Sequence, residues 1–238
     1  KSEEHAPDDW SKHSIGSWIL ATRGLPVINV ISDADEIVGW LVGHPVRPGG
    51  GIMTGSVTEA FAVHELESLS GRFVALLIAV DSPKACLDAS GSLSMVFDPH
   101  LQILASTLAL TPYAGHNDDD EATIRALGIP SRNGVFPFGL TARHGIERLL
   151  PNHVLDLTSW TASRDWPRVE IIEQSDSERA ISQIVSVLKQ TFEGLTRNHA
   201  VTASLTAGED MRMLLACARS CVDRIEFFTM DFRRPDKS

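Results

Sequence analysis

The sequence predicts an α+β domain of stacked antiparallel sheets, followed by the first part of an α/β domain. Short strand-like runs with few helices between them extend to residue 157, which favours stacked antiparallel sheets covered by helices. The pattern is interrupted at residues 166–177, where Pro167, charged residues and serines cluster. Beyond this break, a long amphipathic segment leads into a strand, a small-residue loop and a helix, an order typical of α/β folds.

The first domain is expected over residues 15–170, after a polar lead-in. Residues 1–14 are polar and contain Pro7, so we expect a flexible segment. Apolar residues recur at helical spacing at residues 57–69 and predict a helix there. Strands are predicted at residues 18–22, 27–32, 36–42, 73–80, 84–88, 93–97 and 103–106.

The last part of this domain contains one more short helix and a return to strand. Four acidic residues at 118–121 precede residues 122–127 and Gly128, which is an acidic helix start with a glycine stop. We attribute these acids to the helix start rather than to a metal site. Residues 131–140 predict a turn-rich connection, and residues 146–157 predict strand.

A glycine-rich segment at residues 50–56 has the glycine spacing of a Walker phosphate loop. Ser56 stands where that loop needs its lysine, so the contact to the β- and γ-phosphates is missing. We therefore predict a glycine-rich turn at this position and no phosphate site.

The second domain is expected over residues 171–238. Apolar side chains at helical spacing predict a helix at residues 177–196. Strands are expected at residues 200–205 and 225–232, with a helix from 211 to 222 between them. A strand, a helix and one more strand cannot close a doubly wound sheet, so we expect this α/β domain to be incomplete.

The loop after residues 200–205 is the strongest candidate for a binding site. Thr206, Ala207 and Gly208 are small enough to let a ligand approach the backbone. A helix that begins after such a turn directs unpaired N–H groups and the positive end of its dipole at the loop, which favours phosphate. Asp210 offers the carboxylate oxygen that Mg²⁺ prefers. A tight turn without a ligand explains the same small residues, and spacing alone leaves both interpretations open.

The order of residues 205–212, Leu-Thr-Ala-Gly-Glu-Asp-Met-Arg, resembles the pyrophosphate loop of the asparagine synthetase family. The family pattern is Leu-Ser/Thr-Gly-Gly-Leu-Asp-Ser-Arg/Ser. Ala207 stands for its first glycine, Glu209 for its leucine and Met211 for a serine that donates a hydrogen bond to phosphate. The carboxylate of the pattern is present as Asp210.

Upstream segments resemble the amino-terminal glutaminase-like domain of the same family. Residues 69–78, 87–91 and 101–107 are similar to three of its successive strands, and residues 141–157 are similar to the segment that ends it. The resemblance implies a four-layer α-β-β-α domain of the Ntn-hydrolase, class II glutaminase type. It further implies that the α/β domain is of the adenine nucleotide α-hydrolase type.

The resemblance implies an ATP-dependent ligase that forms an amide bond through a carboxyl-adenylate. Its small-molecule substrates would be a carboxylate and an amine, and its cofactors ATP and Mg²⁺. Asp210 would hold the metal, and Leu205 and Met230 would flank the adenine. The implied nucleotide site comprises Leu205, Thr206, Ala207, Gly208, Glu209, Asp210, Met211 and Met230.

We expect no glutaminase activity from the first domain. The family uses a cysteine as its first residue, whereas this chain begins with Lys1, and Cys86 is predicted to lie inside a strand. We also find no match for the Asn-Gly-Glu segment with which the family holds glutamine. The first domain is therefore expected to contain no catalytic residue.

Two other functions remain open. A β-lactam-synthetase-like or peptide-cyclising ligase also lacks the amino-terminal cysteine and uses an internal amine instead of ammonia. A non-catalytic relative that binds a nucleotide or a partner is the second alternative, because Glu209 adds negative charge beside phosphate and Met211 lacks a hydroxyl.

Composition narrows the class of protein. With 43% hydrophobic residues the chain can bury a core, and its formal charge of −10 argues against nucleic-acid or anionic-membrane surfaces. No apolar run reaches the roughly 18 residues of a membrane span. The three cysteines are too few and uneven for a disulfide framework, and we interpret Cys217 and Cys221 as small core residues. We expect a cytoplasmic protein and leave a homodimer open.

Overall fold

The computed structural model describes residues 9–115, 118–131, 134–173 and 175–230. The chain divides into two units, which are described separately. Unit 1 comprises Lys1–Pro45, Thr54–Glu67 and Gly71–Ile171, and unit 2 comprises Val46–Met53, Ser68–Ser70 and Ile172–Ser238.

Strands make up most of the regular structure in unit 1, and helices most of that in unit 2. The strands are β1 (Ser11–Ile15), β2 (Trp18–Thr22), β3 (Val27–Ile31), β4 (Ile37–Arg47), β5 (Gly51–Ile52), β6 (Ser56–Thr58), β7 (Ser70–Leu77), β8 (Lys84–Leu87), β9 (Val96–Asp98), β10 (Ile103–Ala105), β11 (Glu147–Arg148), β12 (His153–Asp156), β13 (Thr161–Arg164), β14 (Val201–Ser204) and β15 (Ile225–Phe228). The α-helices are α1 (Glu59–His64), α2 (Glu121–Ala126), α3 (Ser177–Asn198) and α4 (Glu209–Cys217), and short 3₁₀ helices form at Leu66–Ser68, Leu108–Leu110 and Arg219–Arg224.

The largest sheet has eight strands in the order β13-β12-β8-β7-β4-β3-β6, with β5 paired to β4. Strands β3 and β4 pair antiparallel, as do β7 with β8, β8 with β12 and β12 with β13. Strand β3 also pairs with β6, in the parallel sense. A second, three-stranded sheet has the order β10-β9-β11. The predicted strands at 18–22, 27–32, 36–42, 73–80, 84–88 and 103–106 are all confirmed, with shifted ends.

The main core of unit 1 is built from apolar residues of both sheets. Trp40, Phe97, Leu149 and Leu155 are almost inaccessible to solvent. Burial of a large apolar side chain stabilises the fold by roughly 1.5–3 kcal/mol, so this cluster dominates the stability of unit 1. Strand β9 begins three residues later than predicted, and the buried Leu93 and Met95 that suggested an earlier start reach the same core from outside a strand.

Part of the predicted lead-in is a strand. Ser11–Ile15 form β1, which pairs antiparallel with β2 along its whole length from Ser11 opposite Thr22 to Ile15 opposite Trp18. The segment Ser-Lys-His-Ser-Ile contains only one apolar residue, so its own sequence does not predict a strand. It forms a strand because it pairs with β2. Trp18 stacks on Trp160 with ring centroids 5.9 Å apart, which holds the hairpin to the core.

The two helices of unit 1 begin at side-chain caps. Thr58 caps α1, which ends at His64, well before the predicted residue 69, because the chain tightens into the 3₁₀ turn at Leu66–Ser68. At α2, the Asp120 carboxylate accepts the N–H of Thr123 at 2.9 Å, so one of the four clustered acids starts the helix as predicted. Hydrogen bonds from Thr123 lower the pKa of Asp120.

Unit 2 contains α3, β14, α4 and β15 together with the turn between β4 and β5. Helix α3 begins where the Asp176 carboxylate accepts the N–H of Arg179 at 2.9 Å. A small core forms from Ala218, Cys221 and Ile225, against which Phe192 of α3 packs. Cys217 and Cys221 are buried free thiols, which confirms their interpretation as core residues.

The glycine-rich turn contacts the carboxyl-terminal part of α3. The N–H of Gly49 donates to the carbonyl of Gln190 at 3.2 Å, and the backbones of Gly51 and Gly194 are in direct contact. Gly51 has φ +82°, which a residue with a Cβ rarely adopts. The predicted turn is confirmed, and its glycines serve to pack it against a helix.

None of the helices that the structure describes is both long and apolar enough to cross a bilayer.

Candidate functional site

The candidate loop lies at the carboxyl end of β14, between that strand and α4. Strands β14 and β15 are parallel, with Val201 opposite Ile225 and Ser204 opposite Phe228, and α4 with the following 3₁₀ turn connects them. This is a β-α-β unit. The order of strand, loop and helix that the sequence predicts at residues 200–222 is confirmed, but α4 begins at Glu209 and ends at Cys217, and the last part of the predicted helix belongs to the 3₁₀ helix at Arg219–Arg224. Strand β15 is described to Phe228, and residues 231 and 232 of the predicted strand lie outside the described residues.

Two hydrogen bonds attach the first loop residue to the end of β15. The N–H of Leu205 donates to the carbonyl of Phe228 at 2.7 Å. The hydroxyl of Thr229 donates to the carbonyl of Leu205 at 2.6 Å. Both polar groups of the Leu205 backbone are thus used, and the point at which the loop leaves the sheet is fixed.

The rest of the loop turns sharply into α4. The N–H of Gly208 donates to the hydroxyl of Thr206 at 3.4 Å, a weak bond that closes the turn. Gly208 is the N-cap residue and provides no side-chain cap. The first bond of the helical ladder runs from the N–H of Arg212 to the carbonyl of Gly208 at 3.2 Å. The N–H groups of the first turn therefore precede the ladder, as at every helix amino terminus.

Exposure agrees with a ligand-accessible surface. Thr206, Ala207, Gly208, Glu209 and Asp210 are all exposed, whereas Leu205 and Met211 are half-buried. Met230 lies two residues beyond β15 and is 62% exposed. The structure thus brings the seven consecutive loop residues together, and it sets Met230 at the end of the neighbouring strand.

The loop carries two negative charges and one nearby positive charge. Glu209 and Asp210 occupy the first turn of α4, where the helix dipole stabilises carboxylates. The guanidinium of Arg212 lies 4.0 Å from the carboxylate of Glu209. Because both side chains are exposed, this pair contributes at most about 0.5 kcal/mol to stability. Arg212 nevertheless supplies positive charge within one helical turn of the loop.

A magnesium ion bound with ATP fits this set of donors. Among the residues that the structure describes, no group of three or more His, Cys, Asp and Glu side chains could hold a metal by itself. Magnesium that arrives with a nucleotide needs only one or two carboxylates, since phosphate oxygens and water complete its shell. Asp210 supplies such an oxygen beside the N–H donors of the loop.

Sequence reasoning overlooked Thr229 and Arg212. Thr229 holds the loop through its hydroxyl, and Arg212 partly offsets Glu209. A threonine directly after a strand could have drawn attention to the first. The i,i+3 spacing of Glu209 and Arg212 could have drawn attention to the second.

The cysteine of unit 1 is a poor nucleophile. Cys86 lies inside β8, as predicted, and burial raises the pKa of its thiol to about 11, against the smaller opposing effect of Lys84. The group is therefore protonated at neutral pH. Since the thiolate is the reactive form, the local environment suppresses its reactivity.

Asp88 connects the loop after β8 to β7. Its buried carboxylate accepts the backbone N–H groups of Phe73, Ser90 and Ser92 and the hydroxyl of Ser90, at distances of 2.7–3.4 Å. Burial alone would raise the pKa of Asp88, but these hydrogen bonds outweigh it and lower the pKa. The role of Asp88 is to hold a turn in place.

Arg143 has a similar structural role near the end of unit 1. Its buried guanidinium donates to the carbonyl and hydroxyl of Thr111 at 3.1 and 2.9 Å and lies 3.5 Å from the centre of the Tyr113 ring. Of the two histidines there, His144 is exposed with Nδ1 3.6 Å from Asp120, and His153 contacts the carbonyl of Pro151. None of these groups forms part of the loop site.

Comparison with known proteins adds no relative. No protein-family model matches the chain, and no curated protein matches it significantly.

Proposed function

We propose that the chain is an asparagine-synthetase-like, ATP-dependent ligase that forms an amide bond through a carboxyl-adenylate. The supporting observation is the pair of hydrogen bonds at the carboxyl ends of the parallel strands β14 and β15. Thr229 and Phe228 hold Leu205 at the point where the loop begins. This geometry puts an uncapped helix start next to the ends of two parallel strands, where α/β folds bind nucleotides.

Several residues of the site have separate roles in this proposal. Small Ala207 and Gly208 let the pyrophosphate approach the backbone, and the N–H groups at the start of α4 donate to its oxygens. Leu205 and Met230 would contact opposite faces of the adenine. Donors that are already oriented stabilise the charge that develops as a carboxylate attacks the α-phosphate and pyrophosphate leaves. A magnesium ion on Asp210 would neutralise part of that charge.

The same proposal assigns a role to each of the two units. Unit 1 would be a glutaminase-like domain of four α-β-β-α layers that does not hydrolyse glutamine, and unit 2 would be an adenine nucleotide α-hydrolase-like domain. The amine would then come from solution or from the substrate itself, as in a β-lactam-synthetase-like ligase.

A non-catalytic nucleotide binder is the second candidate, and Glu209 favours it. Its fully exposed carboxylate follows the N-cap directly, at the position where a phosphate would bind, and Arg212 offsets it only at 4.0 Å. An added negative charge at that position weakens phosphate binding. Such a protein would bind ATP weakly and form no bond.

Calorimetry with ATP and magnesium tests the shared part of both proposals. We expect binding by the chain and at least tenfold weaker binding by Asp210→Asn, a loss of about 1.4 kcal/mol. Asp223→Asn, which removes an exposed carboxylate elsewhere in unit 2, is the matched control and should bind normally. ATP–pyrophosphate exchange with aspartate and other carboxylates then separates the ligase from the binder. Absence of both binding and exchange would refute both candidates.

A further inference from the structure

The chain that follows β13 is attached at two places in unit 1. The N–H of Asp165 donates to the carbonyl of Asn152 at 2.9 Å. The guanidinium of Arg168 then donates back to the Asp165 carboxylate through two hydrogen bonds, of 2.7 and 3.2 Å. The same guanidinium lies 2.6 Å from the carboxylate of Glu67, in the 3₁₀ turn before β7. We call residues 165–168 the strap, and its two carboxylate partners together with the guanidinium the ion cluster.

The geometry of the ion cluster is that of a surface contact that can both hold and open. An isolated exposed ion pair contributes little to stability, because solvent screens it and both side chains lose rotamer freedom. A bidentate arginine with a second carboxylate holds more firmly, since its planar fork fixes the orientation of its partner. All three side chains remain partly exposed, so the ion cluster can open without unfolding of the sheet.

The half-buried thiol of Cys86 lies on the face of the sheet from which the strap starts. Cys86 of β8 is opposite Val154 of β12, which in turn is opposite Ser163 of β13. The hydrogen bond from Asp165 to Asn152 continues the pairing of β12 and β13 by one residue. Opposite residues share a face, as do alternate residues along a strand, so the Asp165 side chain lies on the face of Cys86. In agreement, the charges of all three ion-cluster residues act on the pKa of the thiol.

We propose that Arg168 is a latch, whose ion pairs hold the strap against the sheet beside Cys86 and whose release exposes the thiol to solvent. With the latch closed, the thiol is half-buried and protonated at neutral pH, so it reacts slowly. With the latch open, water reaches the thiol, and its pKa falls because desolvation is the main cause of the raised value. The reactivity of Cys86 therefore follows the fraction of molecules in which the latch is open.

Alkylation of Cys86 in Arg168→Gln tests the latch, because two effects of this substitution have opposite signs. Loss of a positive charge raises the pKa of a nearby thiol, which by itself would slow alkylation. Opening of the strap accelerates alkylation. The reagent is iodoacetamide, which is neutral, and the readout is peptide-level mass spectrometry. We expect Cys86 of the variant to be labelled at least about fivefold faster than Cys86 of the original protein.

Lys84→Gln is the matched control for charge. Lys84 lies in β8 close to Cys86, and its positive charge also lowers the pKa of the thiol. It is not a member of the ion cluster, so its substitution leaves the latch closed. Because this variant loses the same single charge, Cys86 should be labelled more slowly than in the original protein. The latch therefore requires that the two variants change the labelling rate in opposite directions.

Salt provides a second measurement, which needs no substitution in the latch. About 1 M NaCl screens the ion pairs, so labelling of Cys86 in the original protein should accelerate, whereas Arg168→Gln should change less. Urea unfolding should show that both variants remain folded, and the salt measurement on the original protein decides the matter if one does not. Slower or unchanged labelling of Arg168→Gln, equal acceleration by Lys84→Gln, or no effect of salt on the original protein would each overturn the proposal.

Discussion

The backbones of Gly51 and Gly194 are in contact, and neither residue can accept a Cβ. A Cβ on Gly51 would lie 2.5 Å from the carbonyl oxygen of Gly194, and a Cβ on Gly194 would lie 2.6 Å from the nitrogen of Gly51. Both distances are far below van der Waals contact. The turn after β4 and helix α3 therefore approach each other as closely as two backbones can, and glycine at both positions makes this possible.

Gly194→Ala should destabilise unit 2 although alanine is the better helix former. Alanine ordinarily stabilises an interior helix position by about 1 kcal/mol relative to glycine. Here the added methyl group forces the turn and the helix apart, so we expect a net loss of roughly 1–3 kcal/mol in the free energy of unfolding. Urea unfolding measures the difference.

Ser182→Ala, at an exposed position of the same helix, is the control for helix propensity. It should be neutral or slightly stabilising. If Gly194→Ala raised stability in the same way, the contact with Gly51 would not constrain the helix.

Asp88→Asn should destabilise unit 1 in a pH-dependent manner. The carboxylate accepts hydrogen bonds from Phe73, Ser90 and Ser92, and an amide of equal size loses one acceptor and turns two donors toward them. We expect a loss of about 1–3 kcal/mol at neutral pH, measured by urea unfolding.

The sign of the pH dependence follows from the lowered pKa of Asp88. The Asp88 carboxyl binds its proton less tightly in the folded state than in the unfolded chain. The stabilisation by hydrogen bonds to the Asp88 carboxylate is therefore fully present above the unfolded pKa of about 4, and it is lost as the pH falls through the pKa of Asp88 in the folded state. The difference between the protein and Asp88→Asn should therefore shrink below about pH 4. Asp81→Asn, an exposed carboxylate, should show neither effect.

Cys86 should resist alkylation in the folded protein until the pH is strongly alkaline. Its pKa of about 11 exceeds the usual 8.5 of a cysteine, so the thiolate fraction at neutral pH is small. Peptide-level mass spectrometry after iodoacetamide treatment should show slow labelling near pH 8 and a steep rise toward pH 11. Labelling in urea should be fast at pH 8. Equal rates in the two conditions would contradict the raised pKa of the Cys86 thiol.

The same shift links Cys86 to stability at high pH. Because the folded state retains the thiol proton above the unfolded pKa, the free energy of unfolding should fall as the pH rises from about 8.5 to 11. Cys86→Ser removes the titrating group. Its stability should decrease less over this interval, as measured by urea unfolding at fixed pH values.

Thr229→Val should weaken ATP binding more than it weakens the fold. The hydroxyl that donates to Leu205 is exposed, so its loss costs at most about 1 kcal/mol of stability. Without it the first loop residue keeps only its bond to Phe228, and the loop must be ordered when the nucleotide binds. Calorimetry with ATP and magnesium should show several-fold lower affinity. Thr202→Val, on the exposed side of β14, should bind like the original chain.

The sequence pattern predicted the strands and helix ends that depend only on residues near them in sequence. The strand at 27–31 and the helix start at Asp120 follow from side-chain alternation and capping chemistry. Strand β1 was not predicted, because its sequence is polar and it forms through pairing with β2. The carboxyl end of α1 was not predicted, because apolar residues continue at helical spacing beyond the residue at which the helix ends.

In the candidate site too, some residues could be predicted from the local sequence and others could not. The seven loop residues are contiguous, and a pattern of small residues and an acid suffices to find them. The hydroxyl of Thr229 belongs to a strand end 24 residues away in sequence, and only the parallel register of β14 and β15 brings it to Leu205. The glycines at 49–51 predict a turn, but no local pattern indicates that this turn packs on Gly194.

Among the residues that the structure describes, helix α3 is buried only near its carboxyl end. Gly194 and Thr196 are buried near its carboxyl end, while Ile181, Ile184 and Val187 in its amino-terminal half are exposed. Local opening needs little energy where few apolar contacts are lost. The first turns should unwind and re-form many times for each global unfolding event, so amide hydrogen exchange along this single helix should slow progressively from Ser177 toward Thr196.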